Sequence, residues 1–227
     1  MTAKSERTRA LLVETALALF RERGYEATTM REIAARAEVS PGNAYYYFDG
    51  KDSLVQELYD RIQVEHRDRA APLLRPGAPL ADNLGNVLHA GLDTMADYHS
   101  FGATMVHVAL KKSSSVSPFS PQSTAARAAA IALFEDTVAA SKGVLAGPLR
   151  ARLPHLLWLL YLGITLHWVM DGSDGQRRTR ALIDGLAPIV GRTLALTRLP
   201  VARGLVADTL ALMDRLDLGA DAPPREV

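Results

Sequence analysis

Apolar residues recur at helical spacing along almost the whole chain, and this periodicity restricts the fold more than any other feature. Leu12, Ala16, Leu19 and Phe20 follow i, i+4, i+7 and i+8, one stripe on one side of a helix. Gly24 stops that helix as the residue just past its end. The next segment opens on Thr29-Met30-Arg31-Glu32, a capping box in which the Thr29 hydroxyl takes an orphan amide and Glu32 reaches back. Ile33, Ala34 and Ala37 form its buried face. Val39-Ser40-Pro41-Gly42 reads as a turn, with Ser40 capping a third helix and Pro41 at its first position. That helix is short and ends near Phe48. Asp49-Gly50 breaks the chain before a fourth helix from about Lys51 to Ala70. No alternating pattern suggests a strand, so the expected fold is all-α.

Pro72, Pro76, Gly77 and Pro79 crowd together and mark a boundary. Beyond it the spacing predicts helices over about 80–98, 101–111, 121–142, 148–171, 175–198 and 200–217. The stretch from Lys111 to Thr124 holds six serines and two prolines and is expected to be a mobile loop or a broken helix. The organisation expected is a domain over 6–66, a second over 73–218, and a flexible tail over 219–227.

Several function classes are set aside by composition. The chain has no cysteine, which removes disulfides, thiolate metal sites and a cysteine nucleophile, and suits a reducing cytosol. The N-terminus lacks a signal-peptide pattern. The longest apolar run, Leu156 to Met170, falls short of the roughly 18–20 residues that span a bilayer, so a buried helix is expected and no membrane partner. The histidines lack zinc-site spacing, and no metal or cofactor is expected. No catalytic triad, phosphate loop or paired carboxylate stands out, so an enzyme is not expected. Net charge is +1, and residues 1–75 carry twelve basic and twelve acidic side chains. Charge alone does not suggest nucleic acid.

The motif does. Residues 29–48 are two helices joined by a tight turn, the second short, which is helix-turn-helix architecture. The stretch GYEATTMREIAARAEVSPGNAYYYFDGKDSL, Gly24 to Leu54, closely resembles the DNA-binding domain of the TetR/AcrR family of transcriptional regulators. Gly24, Tyr25, Thr28, Thr29, Met30, Ile33, Ala34, Ala37, Val39, Ser40, Gly42, Tyr45, Tyr47, Phe48, Lys51 and Leu54 fit the family pattern. Glu38 departs from it, standing where the family usually has a turn glycine, and its charge would sit near phosphates. Ala44 replaces a larger aliphatic residue. The resemblance covers only the first quarter of the chain.

The chemistry at these positions suits DNA. Thr29 and the first amides of the second helix can face a phosphate. Arg31 can meet guanine O6 and N7 bidentately. The third helix offers Pro41, Gly42, Asn43 and Tyr46 on its exposed side, capped by Ser40. Asn43 suits adenine or a phosphate, and Gly42 lets the backbone approach the groove wall. Tyr45 and Tyr47 bring hydroxyls to flanking phosphates, and Lys51 adds a charge. Three successive tyrosines cannot all face one way, and Tyr45 is the one expected to be partly core.

In the second half, the resemblance implies a ligand cavity and a dimer interface built by the last two large helices. Residues 153–171 are apolar nearly all round, which demands burial on several faces. Gly163 and His167 on that helix, with Leu182, Leu186 and Ile189 on the next, are the candidate interface of an antiparallel four-helix bundle across a two-fold axis. Met95, His99, Met105, His107, Phe134, Trp158, Tyr161 and Trp168, with Tyr98, are candidate pocket residues. No Lys or Arg occurs between Ala78 and Leu110, so the expected effector is a small apolar or aromatic molecule, entering past the serine-rich stretch. The expected function is a cytoplasmic, ligand-responsive repressor that binds a palindromic double-stranded operator as a homodimer. The rival readings are a helical interaction module without DNA binding, and an enzyme.

Overall fold

A computed structural model of the protein describes residues 3–110, 114–142, 148–197 and 199–215. They form helices α1 (Ala3–Arg23), α2 (Met30–Arg36), α3 (Pro41–Tyr47), α4 (Lys51–Ala70), α5 (Leu80–Met95), α6 (His99–Ala109), α7 (Thr124–Ala140), α8 (Pro148–Met170), α9 (Arg177–Leu196) and α10 (Arg203–Arg215). Two-residue strands β1 (Ala78–Pro79) and β2 (Ser141–Lys142) pair in parallel. A pair this short leaves no alternation in sequence, which is why periodicity missed it. The expected tail over 219–227 lies outside the described residues. The chain divides into two compact units, Met1–His66 with Asp93–Ala129 and Arg67–Leu92 with Ala130–Val227. The division falls inside α4, α5 and α7, so the units are discontinuous in sequence, unlike the domains expected over 6–66 and 73–218.

In the first unit the predicted stripe of α1 is the core. Leu12, Ala16, Leu19 and Phe20 are buried with Ile33, Ala34 and Ala37 of α2, Ala44 of α3 and Leu54, Val55 and Leu58 of α4. Phe20 lies 5.0 Å from the Tyr25 ring and stacks on Phe101 of α6 at 5.9 Å. Gly24 takes φ +85° and its amide donates to the Phe20 carbonyl at 2.9 Å, the left-handed stop expected of it.

The serine-rich stretch departs from expectation. Its described part, 114–123, is a series of turns closed by a 3-10 turn at Pro121–Ser123, with Val116 buried. Ser115, Ser117, Ser120 and Ser123 are bonded through their side chains. Ser120 Oγ donates to the Ser115 carbonyl at 2.6 Å, and Ser123 Oγ to the Ser117 carbonyl at 2.7 Å. From α4, Gln56 Nε2 donates to the Ser115 carbonyl at 2.8 Å and Tyr59 Oη to the Val116 carbonyl at 3.1 Å. The segment is therefore a clasp on α4, not a free loop, because its backbone carbonyls find side-chain donors that composition alone does not reveal.

The second unit is organised around α8. Leu153, Leu157, Trp158, Tyr161, Ile164 and Trp168 are buried along one side of it, while Gly163, Leu166, His167 and Met170 are exposed, so the protomer does not supply the burial on several faces that the apolar pattern predicts. By length and composition α8 is also the one helix among the described residues that could cross a membrane. α9 turns Thr179, Ile183 and Ala187 inward. Asp171 joins the two helices: its carboxylate accepts from the Ser173 amide (3.0 Å) and hydroxyl (2.6 Å) and from the Thr179 amide and hydroxyl, both at 2.8 Å. These bonds, the Ser173 hydroxyl first, hold Asp171 well below the usual carboxylate range.

Candidate nucleic-acid interface

The site is assembled by caps. Thr29 is extended, and its Oγ1 accepts from the Glu32 amide at 3.2 Å while Glu32 Oε2 accepts from the Thr29 amide at 2.8 Å. The Thr29 hydroxyl also donates to Glu32 Oε2 at 2.9 Å, so its proton is already engaged. The Thr29 backbone bond, first among several, lowers the Glu32 carboxyl below its ordinary value. Ser40 caps α3, its Oγ accepting from the Asn43 amide at 3.2 Å, with Pro41 in the first turn.

The turn between α2 and α3 is a Schellman motif. The Val39 amide donates to the Ala34 carbonyl at 3.0 Å and the Glu38 amide to the Ala35 carbonyl at 3.2 Å. Glu38 supplies the left-handed residue, with φ +55°. The turn therefore keeps its geometry with glutamate in place of glycine, at the steric cost of a side chain in that region.

α3 packs by Ala44 and, just past its end, by Phe48, both buried. Pro41, Gly42 and Asn43 are exposed. The tyrosines are ordered differently from expectation: Tyr45 is 50% exposed and Tyr46 80%, and Tyr47 is the half-buried one. Ala44 is the buried residue within the helix, and at about 100° per residue Tyr47 stands roughly 60° from it while Tyr45 stands roughly 100° away, so Tyr47 lies closer to the inward face. Tyr47 meets Tyr46 edge-on at 5.1 Å. Gly42 has no neighbouring atom within 4 Å of where a Cβ would stand, and its φ is not left-handed, so nothing in the chain itself requires glycine there.

Several of the cations in this region are paired with carboxylates. Arg9 is held by Glu57 at 2.5 Å, Arg23 by Glu32 at 3.0 Å, Arg36 by Glu22 at 2.7 Å, and Arg61 by Glu14 and Glu65 at 2.5 and 3.0 Å. Arg31 is exposed and has no ion-pair or hydrogen-bond partner among the described residues. Lys51 is engaged: Nζ donates to the Tyr25 carbonyl at 2.6 Å and lies 4.5 Å from the Tyr25 ring centroid. It pins the start of α4 to the α1–α2 corner, so a phosphate contact by Lys51 competes with these bonds.

Sequence reasoning missed Asp52. Its carboxylate accepts from Tyr25 Oη on one oxygen and Ser115 Oγ on the other, joining the α1–α2 corner to the clasp. Burial, and then the bond to Asp52, push the Tyr25 hydroxyl far above its ordinary value, and burial pushes Tyr59 up to about 12. The one available signal was the polar row Asp52, Gln56, Tyr59 at helical spacing on α4.

The pocket candidates fall in both units. In the first, Met95 and Met105 are buried and His99 is half-buried. His107 is exposed, which removes it from an enclosed lining, because α6 turns Phe101, Met105 and Val108 inward at i, i+4 and i+7. In the second, Phe134, Trp158, Tyr161 and Trp168 are buried, with the Phe134 and Tyr161 rings 6.0 Å apart. Of the dimer candidates, Gly163 and His167 are exposed, Ile189 is 54% exposed, and Leu182 and Leu186 are half-buried. His167 Nδ1 is 2.9 Å from Thr179 Oγ1. Since that hydroxyl donates to Asp171, His167 is assigned as the donor.

Comparison with known proteins agrees with this geometry. Residues 83–212 match the family described as tetracyclin repressor-like, C-terminal domain, and residues 12–58 match bacterial regulatory proteins of the tetR family. The uncharacterized HTH-type transcriptional regulator YhgD of Bacillus subtilis is 32% identical over 83 residues, 37% of this chain and 44% of YhgD, so the match spans less than half of that relative. A putative TetR-family regulator from Syntrophomonas wolfei superposes with a TM-score of 0.65 at 16% identity, covering 82% of this chain and 95% of that one. FadR from Bacillus subtilis in complex with stearoyl-CoA superposes with a TM-score of 0.61 at 14% identity, covering 78% and 96%. With one family model spanning more than half of its length and a second covering the helix-turn-helix, the chain belongs to the TetR family of bacterial regulatory proteins.

Proposed function

We propose that this protein is a ligand-responsive transcriptional repressor that binds a palindromic operator as a homodimer, one helix-turn-helix per half-site. The observation that carries the reading is the exposed outer face of α3, held on a capped and packed head beside an unpaired Arg31. In this reading Arg31 and Asn43 meet base edges, while Thr29, Ser40, Pro41, Tyr45, Tyr47 and Lys51 position the backbone. Dimerisation through α8 and α9 is supported by apolar side chains left open in the protomer: Leu166 is 46% exposed, Met170 76% and Ile189 54%. Gly163 adds open space mid-helix where a partner helix can come close.

The effector in this reading is a small apolar or aromatic molecule held by the C-terminal helices. The apolar chain of an acyl thioester such as that in FadR meets this description. Its phosphates find no Lys or Arg between Ala78 and Leu110. The ligand acts only through its different affinity for the DNA-binding and released arrangements. The protein works in the cytoplasm, where its DNA is, and not as an enzyme.

A gel shift with DNA upstream of the protein's own gene tests the reading. Retention that resists random competitor is expected, and Arg31→Ala should cost roughly 1–3 kcal/mol on specific DNA only. Equal losses on specific and random DNA reduce Arg31 to a phosphate contact. Failure to retain any DNA favours an interaction module instead.

A further inference from the structure

α3 contains no charged side chain: it runs Pro41, Gly42, Asn43, Ala44, Tyr45, Tyr46, Tyr47. With Ala44 buried, Gly42, Asn43 and Tyr46 stand at i, i+1 and i+4 as one outer row. Each base edge in the major groove asks for different chemistry. Guanine takes the paired donors of a guanidinium or an ammonium, and cytosine takes a carboxylate. Adenine fits a carboxamide, and thymine presents a methyl group to apolar surface. The outer row has neither a guanidinium nor a carboxylate. It has one carboxamide, Asn43. It has one aromatic ring, Tyr46, 80% exposed and set edge-on to Tyr47. At the N-terminal end of the row is the bare backbone of Gly42, with nothing within 4 Å of a Cβ position. The nearest carboxylates in sequence, Glu38 and Asp49, sit in the turns before and after α3 and not on this row. The bidentate donor in this motif, Arg31, is on α2 instead.

We infer that the half-site is an A·T core, with adenine paired to Asn43 and thymine methyls against Tyr46 and Gly42, and a single guanine beside it for Arg31. This rests on the DNA-binding reading above and extends it to base composition.

Selection by the full-length protein from duplexes with a random centre tests it. Inverted half-sites with an A·T core and one G·C at the edge are expected. Asn43→Ala should lose about tenfold or more of the preference at one A·T position, and Asn43→Arg should move that position to guanine. Replacing core thymine by uracil, which lacks the methyl, should weaken the wild-type complex several-fold and the Tyr46→Ala complex by less. A G·C core, or a wild-type complex indifferent to uracil, overturns the inference while DNA binding stands. Selection of no sequence overturns both.

Discussion

Replacing Glu38 by glycine isolates the cost of the left-handed residue in the helix-turn-helix turn. Glu38 holds φ +55°, its side chain is exposed, and among the described residues its interactions are those of its backbone. Removing the side chain therefore loses no contact. An L-residue in this region costs roughly 1–2 kcal/mol, and glycine's greater unfolded-chain entropy returns about 0.5–1 kcal/mol of that. The net expectation is a gain of about 0.5–1 kcal/mol. For a chain of 227 residues this raises Tm by about 1–4 °C. Thermal unfolding of Glu38→Gly, Glu38→Asn and Glu38→Gln side by side separates strain from charge. Glycine should raise Tm, asparagine, which tolerates the conformation, should raise it less, and glutamine should leave it unchanged. Operator binding should tighten in all three, because each removes a negative charge near the phosphates, and most at low salt. A Tm for Glu38→Gly no higher than wild type, or a rise for glutamine equal to that for glycine, refutes the strain argument.

Gly42→Ala should produce opposite changes in stability and binding. Alanine finds open space in the chain and gains roughly 0.5–1 kcal/mol in helix stability, yet its methyl should weaken operator binding at least several-fold; a stabler variant with unchanged binding removes Gly42 from the interface. Ile189→Lys should leave the protomer's fold intact, since the side chain is already 54% exposed, and yield monomers that lose operator binding. Sedimentation showing wild-type monomer at micromolar concentration defeats the dimer. Asp171 has its folded value lowered, so its contribution is complete above the unfolded value near pH 4 and is lost as pH falls toward the folded one. Asp171→Asn should therefore lower stability at neutral pH and flatten the acid limb of the stability curve. An unaltered acid limb assigns the corner between α8 and α9 to other contacts.

What the sequence determined by itself is what short-range chemistry controls. The stops and starts at Gly24, Thr29, Ser40, Phe48 and Lys51 were legible because a cap is made by residues three or four apart. The buried stripe of α1 and the apolar α8 were legible because a helix repeats every 3.6 residues. The positive φ at Glu38 was legible through the turn glycine that the family pattern places there. Tertiary structure alone decided which tyrosine of α3 turns inward, because three in a row leave the helix phase to be set by Ala44 against the core. It alone turned the serine-rich segment into a clasp, since the partners Asp52, Gln56 and Tyr59 lie some sixty residues away in the chain. It alone showed that Arg9, Arg23, Arg36 and Arg61 are held by carboxylates while Arg31 is not. Net charge counts ions without their partners, and pairing is a matter of distance in space rather than position along the chain.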